Sequence, residues 1–456
     1  MGGVADGVGS LFTTPTIRLG VTGLSRAGKT VFITSLVANL LDRGRMPGLV
    51  AASTGAIQNA YLQPQPDDTI PRFDYEAHLG ALTGTTPHWP DGTRAVSELR
   101  LSLTVQPSGL FSGLSGPRTI HLDIVDYPGE WLLDLGLLDK TYGEWSAQVL
   151  SRIERREMAA SYLSTLATVP PDAPYSEPDA QKLAKSFTDY LHAARAAGFA
   201  DCTPGRFLLP GDLDGSPVLT FAPMRGEPTR KSLVREMERR FEAYKSKVVK
   251  PFFRDHFARL DRQIVLLDVL GAIHDGPQAV EALRQTMADT LGAFSPGRSA
   301  FLSQLFMGRR VDKILFAATK ADHLHHEQHA RLTAIMEALT REARDRARFA
   351  GAETRAMAIA ALRTTTETQI DHNGTTLSAV QGLTDSGKRA AFYPGELPHD
   401  PARILSPARE GADDWPFGAV EVQKFRPPVQ DIAPGDGPPH IRLDAAAEYL
   451  MGDRLR

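Results

Sequence analysis

The stretch Ile17-Arg-Leu-Gly-Val-Thr-Gly-Leu-Ser-Arg-Ala-Gly-Lys-Thr30 decides how the rest of the chain is read. Its opening, Ile17 to Thr22, is short, β-branched and bounded by Gly23, which predicts a strand. Gly23 to Thr30 then fits G-x-x-x-x-G-K-[ST] without a mismatch. Beyond it Ile33, Leu36, Val37, Leu40 and Leu41 recur at helical spacing until Gly44 and Pro47 end the pattern. Strand, glycine turn and helix in that order are the context the motif needs. The backbone of Gly23, Leu24, Ser25, Arg26, Ala27 and Gly28 can turn tightly enough to aim consecutive N–H groups at phosphate oxygens. The helix start, with Val31 in its first turn, offers its positive end to the same anion. Lys29 supplies a mobile charge for β- and γ-phosphates, and Thr30 a hydroxyl for Mg²⁺. A glycine turn that binds nothing is the alternative, and the flanking elements weigh against it.

Working outward, Gly44 to Val96 is dense in Gly, Pro, Thr and Asp and reads as a long connection with two helix-like patches at most. Glu98–Val105 and Thr119–Val125 alternate apolar and polar residues, which predicts one antiparallel hairpin. Its second strand ends on Asp126-Tyr-Pro-Gly129. In P-loop enzymes an aspartate at this place reaches Mg²⁺, and the glycine N–H faces the γ-phosphate. Asp268-Val-Leu-Gly271 matches the same short pattern; its bland reading is a strand-end aspartate. From Trp131 to Arg262 helical patterns replace strands. Ile264–Asp268, Ile314–Ala318 and Ala356–Leu362 are continuous apolar runs of the buried parallel type, separated by helices over Gln278–Leu291 and Glu327–Ala347. Residues 364–440 are loop-rich, with short strands such as Val420–Phe425, and Asp444 is placed to cap a last helix. The expected architecture is therefore α/β, a mostly parallel sheet covered on both faces with an inserted all-α segment. Its parts are a leader over 1–15, a first sheet segment over 16–130, helices over 131–262 and a second sheet segment over 263–456.

Thr319-Lys320-Ala321-Asp322 closes the run Ile314–Ala318. Guanine presents N1–H and N2–H₂ side by side, and a single carboxylate accepts both. Adenine has no such pair, so Asp322 would be left buried and unpaired with it; a site of this kind discriminates by about 10⁴–10⁵. Lys320 can lay its stem along the base, and the Ala360-Ala361-Leu362 stretch can offer an N–H, from Ala361 or Leu362, to guanine O6.

Bulk properties bound the remaining choices. The chain has 456 residues, a formal net charge of −3, 42% apolar and 23% charged residues, and one cysteine, Cys202. It is long enough for two or three domains. It is not basic enough for bulk nucleic-acid binding. With one cysteine no internal disulfide can form, which fits a reducing compartment such as the cytoplasm. No stretch approaches the roughly 20 apolar residues of a membrane span, and the first fifteen residues lack a signal-peptide pattern.

Val21–Thr30, Asp126-Tyr-Pro-Gly-Glu-Trp131 and Thr319–Asp322 together resemble the YcjX family of bacterial stress-linked proteins, Ras-like GTPases with a helical insertion. The resemblance covers nearly the whole chain after the leader. It implies GTP/GDP and Mg²⁺ as cofactors, a guanine-nucleotide switch in the cytoplasm, and a protein effector or activator that the motifs do not name. The family pattern also directs attention to a switch threonine, for which Thr93 is the choice ahead of the hairpin, with Thr69, Thr83, Thr85 and Thr86 competing; Arg94 beside it, Arg72 and Arg26 are the candidate cations for hydrolysis. Departures are Thr319 in place of asparagine and Glu130 where many Ras-like proteins carry a water-positioning glutamine. A glutamate there favours a nucleotide-gated interaction protein with little turnover as the competing reading. A third, an ATP-using kinase, is opposed by Asp322.

Two lesser features remain. His323, His325, His326 and His329 cluster after Asp322, and His325 with His329 has the i, i+4 spacing of a metal pair. No third ligand is near in sequence, so a solvated helix start is the bland reading. The segment 229–262 carries eleven Lys/Arg against five Asp/Glu beside a continuous apolar stripe. Such a helix can lie on a membrane surface, although more often the stripe is core.

Overall fold

The computed structural model describes residues 14–24, 27–92, 95–107, 116–255, 259–292, 311–349 and 351–456. A seven-stranded sheet organises the fold: β1 (Thr16–Gly23), β2 (Ile57–Gln63), β3 (Ser97–Val105), β4 (Arg118–Asp126), β5 (Arg262–Leu267), β6 (Lys313–Ala318) and β7 (Glu353–Ala358). Their spatial order is β2-β3-β4-β1-β5-β6-β7. β4, β1, β5, β6 and β7 run parallel, while β3 is antiparallel to both β2 and β4. The sequence predicts one antiparallel pair, and there are two. β2 lies inside the supposed connection because most of its residues are exposed or half-buried, so no apolar alternation marks it.

The central strands are apolar on both faces because both faces are covered. Leu19, Val21, Ile264, Leu266, Leu315 and Ala317 pack with helix α1 (Lys29–Leu41) and the C-terminal helix Leu443–Met451. Their neighbours Val265, Leu267, Ile314, Phe316 and Ala318 point the other way, into a second core. Burying one such side chain is worth about 1.5–3 kcal/mol, so alternate residues of each strand are tied to opposite layers.

Between β4 and β5 only helices occur among the described residues. After the short helices α2 (Val50–Ser53) and α3 (Tyr75–Thr83) of the β1–β3 region come α4 (Gly129–Leu133), α5 (Tyr142–Ile153), α6 (Ala160–Ala167), α7 (Glu177–Ala196), α8 (Gly205–Leu208), α9 (Leu233–Tyr244) and α10 (Lys250–Asp255). They share the second core. Trp145 stacks on Phe241 with ring centroids 5.1 Å apart, and Phe187 and Phe221 meet Trp145 edge-on. The single helix expected over 229–262 is three pieces: Ser232 caps α9, a π turn spans Lys245–Val249, α10 follows, and β5 already begins at Arg262. Its apolar stripe, Leu233, Met237, Phe241 and Tyr244, lies in the core.

Other boundaries shift in the same way. The helix predicted over Glu327–Ala347 breaks at Thr340 into His329–Leu339 and Arg341–Phe349. β7 stops at Ala358, so Ala361 and Leu362 lie past the strand. Residues 364–440 are not merely loops. β8 (Thr365–His372), β9 (Thr375–Thr384), β10 (Arg389–Phe392) and the two-residue β11 (Phe425–Arg426) form a four-stranded sheet, all of its pairs antiparallel. Only the end of the strand proposed at Val420–Phe425 takes part. Asp444 does not cap the last helix; Arg442 holds that position, and Asp444 accepts the Gly48 N–H at 2.8 Å.

Asp134, just after α4, is buried and accepts the Gly205 N–H at 2.8 Å and the Tyr244 O–H. Burial pushes its carboxyl up to about 6, against the pull of those two donors. A folded-state value above the unfolded one means the folded chain holds the proton longer. The stability is therefore complete below about pH 4 and falls as pH rises through 6, by on the order of 3 kcal/mol. Asp134→Asn removes this slope. Urea unfolding at pH 5 and pH 8 should show native stability dropping more than that of the variant, and equal drops would acquit Asp134.

Candidate functional site

Because β1, β4, β5, β6 and β7 are parallel, their carboxyl ends lie along one edge of the sheet, the edge where ligands bind in open α/β folds. The quoted segments leave the strands there. β1 ends at Gly23, and the chain enters α1 through Gly28, whose φ of 80° lies in the left-handed region that favours glycine. Lys29 and Thr30 open α1 and are buried. Lys29 Nζ donates to the Gly23 carbonyl at 3.0 Å, so its charge sits over the turn. Ser25 and Arg26 lie outside the described residues, as do Thr93 and Arg94. Leu24 and Val31 are half-buried on either side of the turn, and Ala27 is buried.

β4 is the neighbour of β1, with Val21 opposite Asp126. Asp126 is 1% exposed. A Thr30 hydroxyl and an Asp126 carboxylate at adjacent element ends are an all-oxygen set, the donor chemistry Mg²⁺ takes. Gly129 follows, and its backbone is pressed on the turn: a Cβ there would stand 1.7 Å from the Gly23 carbonyl oxygen. Only glycine fits that contact.

Glu130 is buried, and its carboxylate pairs with Arg195 of α7 at 2.6 Å. The rest of α4 is held just as firmly. Trp131 Nε1 donates to Leu209 O at 3.0 Å, the Arg206 guanidinium lies 3.2 Å over the Trp131 ring, and a Cβ on Gly205 would strike the Glu130 carbonyl. The turn after Gly129 is thus built into the helical layer. Arg195 and Arg206 carry no sequence signal for this, since nothing local marks a contact between segments so far apart.

At the other end of the edge, Leu267 of β5 lies opposite Ala318, the last residue of β6. Thr319 N–H and Oγ1 both donate to Leu267 O, at 2.9 and 3.3 Å. Lys320 has a φ of 60° and pairs with Asp268, which also caps the helix α11 (Val269–His274) through the Gly271 N–H. Asp268 is thereby engaged as a cap and ion-pair partner. Asp322 is 4% exposed and accepts both the N–H of Thr364 at 2.9 Å and its hydroxyl at 2.8 Å, on the same oxygen, Oδ2. Thr365 Oγ1 bonds the Asp322 carbonyl. Thr364 is a site neighbour that sequence reading misses. The Ala321 N–H is taken by Ile359 O, and the Ala360 N–H by Ile441 O, which leaves Ala361 and Leu362 next in line along the edge. Arg72, another cation near the hairpin, is committed to Glu76 at 2.7 Å.

The His325–His329 pair does not form. His329 turns inward to the carbonyls of Ala321 and Leu324 at 2.7 and 3.2 Å. No helix of the described residues is long and apolar enough to cross a membrane.

A mostly parallel sheet, a glycine turn between its middle strand and first helix, and an all-helical segment interposed before β5 define an α/β protein of the Ras-like P-loop fold. The model of the YcjX-like family, DUF463, matches residues 17–455, and the chain belongs to that family. It is 39% identical to "Ras-like GTPase YcjX" of Escherichia coli strain K12, with 96% of each chain covered. It is 34% identical to "Ras-like GTPase YcjX" of Shewanella oneidensis, over 96% of this chain and 94% of that one. A solved structure, the signal recognition particle receptor SRb-GTP/SRX complex from Chaetomium thermophilum, matches 79% of this chain and 94% of its own at 15% identity and a TM-score of 0.26.

Proposed function

We propose that the chain binds GTP and GDP with Mg²⁺ and works as a nucleotide-dependent switch that hydrolyses GTP slowly. The observation that carries this reading is the arrival of three separate segments at one sheet edge: Gly23–Thr30, Asp126–Gly129 and Thr319–Asp322. In this reading Lys29 and the turn's N–H groups hold the phosphates. Thr30 and Asp126 hold Mg²⁺, with Thr93 as the further hydroxyl, and the bound ion neutralises charge on the β- and γ-phosphates. The Gly129 N–H reports the γ-phosphate. Asp322 reads the base through the oxygen that Thr364 does not occupy, with Lys320 along its face and Ala361 or Leu362 at O6. The names of the curated relatives support GTP as the nucleotide. A cytoplasmic place and a part in bacterial stress rest on the family resemblance, as does a protein effector.

Slow turnover is supported by Glu130. A carboxylate cannot donate to the γ-phosphate, and this one is already paired with Arg195. The same contact favours the second reading, a gated interaction protein: a shift of Gly129 would be felt directly by α7 and α8. Membrane contact through 229–262 rests on exposed charges such as Arg235 and Arg239 alone, since the apolar stripe is core, and it is not part of the proposal.

Unassisted switches turn over at ~10⁻⁴–10⁻² s⁻¹ because water orientation and a γ-phosphate cation are incomplete. A single-turnover assay at saturating Mg²⁺ should fall in that range, and Arg94→Ala should slow it further. Native turnover above about 1 s⁻¹ without a partner would mean a full catalytic set and defeat the switch reading.

A further inference from the structure

We propose that His325, His326 and Glu367 form a binding site for a divalent transition-metal ion of the zinc class. The three come from two elements. His325 and His326 lie in the turn that leads from Asp322 into the helix His329–Leu339, and Glu367 stands on β8. One ligand atom from each lies within 4.8 Å of the others. Glu367 Oε2 is 2.9 Å from His326 Nδ1 and 3.7 Å from His325 Nε2. Ligands at about 2.0–2.1 Å from a tetrahedral ion stand about 3.4 Å apart, so the two distances bracket what an ion needs.

The arrangement is braced. Glu367 Oε1 accepts the backbone N–H of His326 at 3.0 Å, which fixes the carboxylate against the turn. His325 is buried, and its other ring nitrogen, Nδ1, makes no hydrogen bond, with Glu327 Oε2 3.3 Å away. The His326 side chain is 65% exposed, so one side of the cluster opens to solvent for entry and for a fourth ligand. Two imidazoles and one carboxylate suit Zn²⁺ and its neighbours, whereas Mg²⁺ takes oxygen sets. The site is thus chemically distinct from the Thr30 and Asp126 pair. An ion here would clamp β8 to the turn after Asp322, close to the Thr364 and Thr365 contacts that hold that residue.

The test uses the tag-free full chain, stripped with chelator and titrated with Zn²⁺ in Mg²⁺ buffer without nucleotide, so its outcome is separate from that of the guanine reading. One equivalent should bind, and melting should move upward. His326→Ala, at an exposed position, and Glu367→Gln should each weaken binding at least ~10-fold and abolish the melting shift while keeping the native circular dichroism spectrum. Substitution with Co²⁺ should give visible absorption bands that both variants lose. Absence of saturable one-to-one binding, or equal Zn²⁺ affinity in both variants and the native chain, would overturn the site.

Discussion

Asp322→Asn will lose GTP preference and keep its fold. Thr364 presents two donors, its N–H and its hydroxyl, to one oxygen of Asp322. An asparagine must turn its single oxygen toward that pair, because an NH₂ facing both would leave buried donors opposed, at a cost of about 1–3 kcal/mol. The amide nitrogen then faces the base. Against guanine N1–H and N2–H₂ it meets donors with a donor, and discrimination of about 10⁴–10⁵ collapses. Xanthosine triphosphate, with a carbonyl where guanine has its amino group, should regain part of the lost affinity. Titration of the variant with GTP, ATP and xanthosine triphosphate checks this, and GTP affinity equal to that of the native chain would remove Asp322 from the base site.

Lys29→Ala should lower nucleotide affinity by about 10- to 100-fold, since a buried charge-assisted contact to phosphate is worth about 1.5–3 kcal/mol and nothing nearby replaces it. The folded state tolerates the loss. Lys29 Nζ meets the Gly23 carbonyl at the mouth of a turn, outside both cores, so the circular dichroism spectrum should be unchanged. Undiminished binding in a folded variant would take the phosphates away from this turn.

The parts of the fold legible in the sequence are those where burial leaves a periodic trace. β5 and β6 are covered on both faces and read as continuous apolar runs, β1 reads as a short β-branched stretch ending at Gly23, and β3 and β4 alternate cleanly. β2 sits at the sheet edge with Gln58, Asn59 and Tyr61 exposed, so no pattern separates it from a loop. The second sheet is polar for the same reason. It did carry one signal, Asn373-Gly374, whose φ values of 53° and 74° make the two-residue hairpin turn between β8 and β9. Without apolar alternation on either side, that signal stands alone.

The candidate site divides in the same way. Gly23–Thr30, Asp126–Gly129 and Thr319–Asp322 are each local, and spacing alone exposes them. What surrounds them is not local. Thr364 reaches Asp322 across 42 residues, Arg195 reaches Glu130 from α7, and Glu367 completes a histidine cluster from a strand that the sequence hides. His325 and His329 look like partners only if the helix is taken to include both. The helix starts at His329, which frees His325 to face Glu367.

Guanine recognition is the central claim, and competition on the native protein tests it most directly. A fluorescent GDP analogue is bound in Mg²⁺ buffer and displaced with GTP, GDP and ATP. GTP and GDP should displace it at concentrations at least ~10³-fold below those ATP requires, as expected for a carboxylate whose second oxygen adenine would leave without a donor. Equal displacement by ATP and GTP would contradict the account.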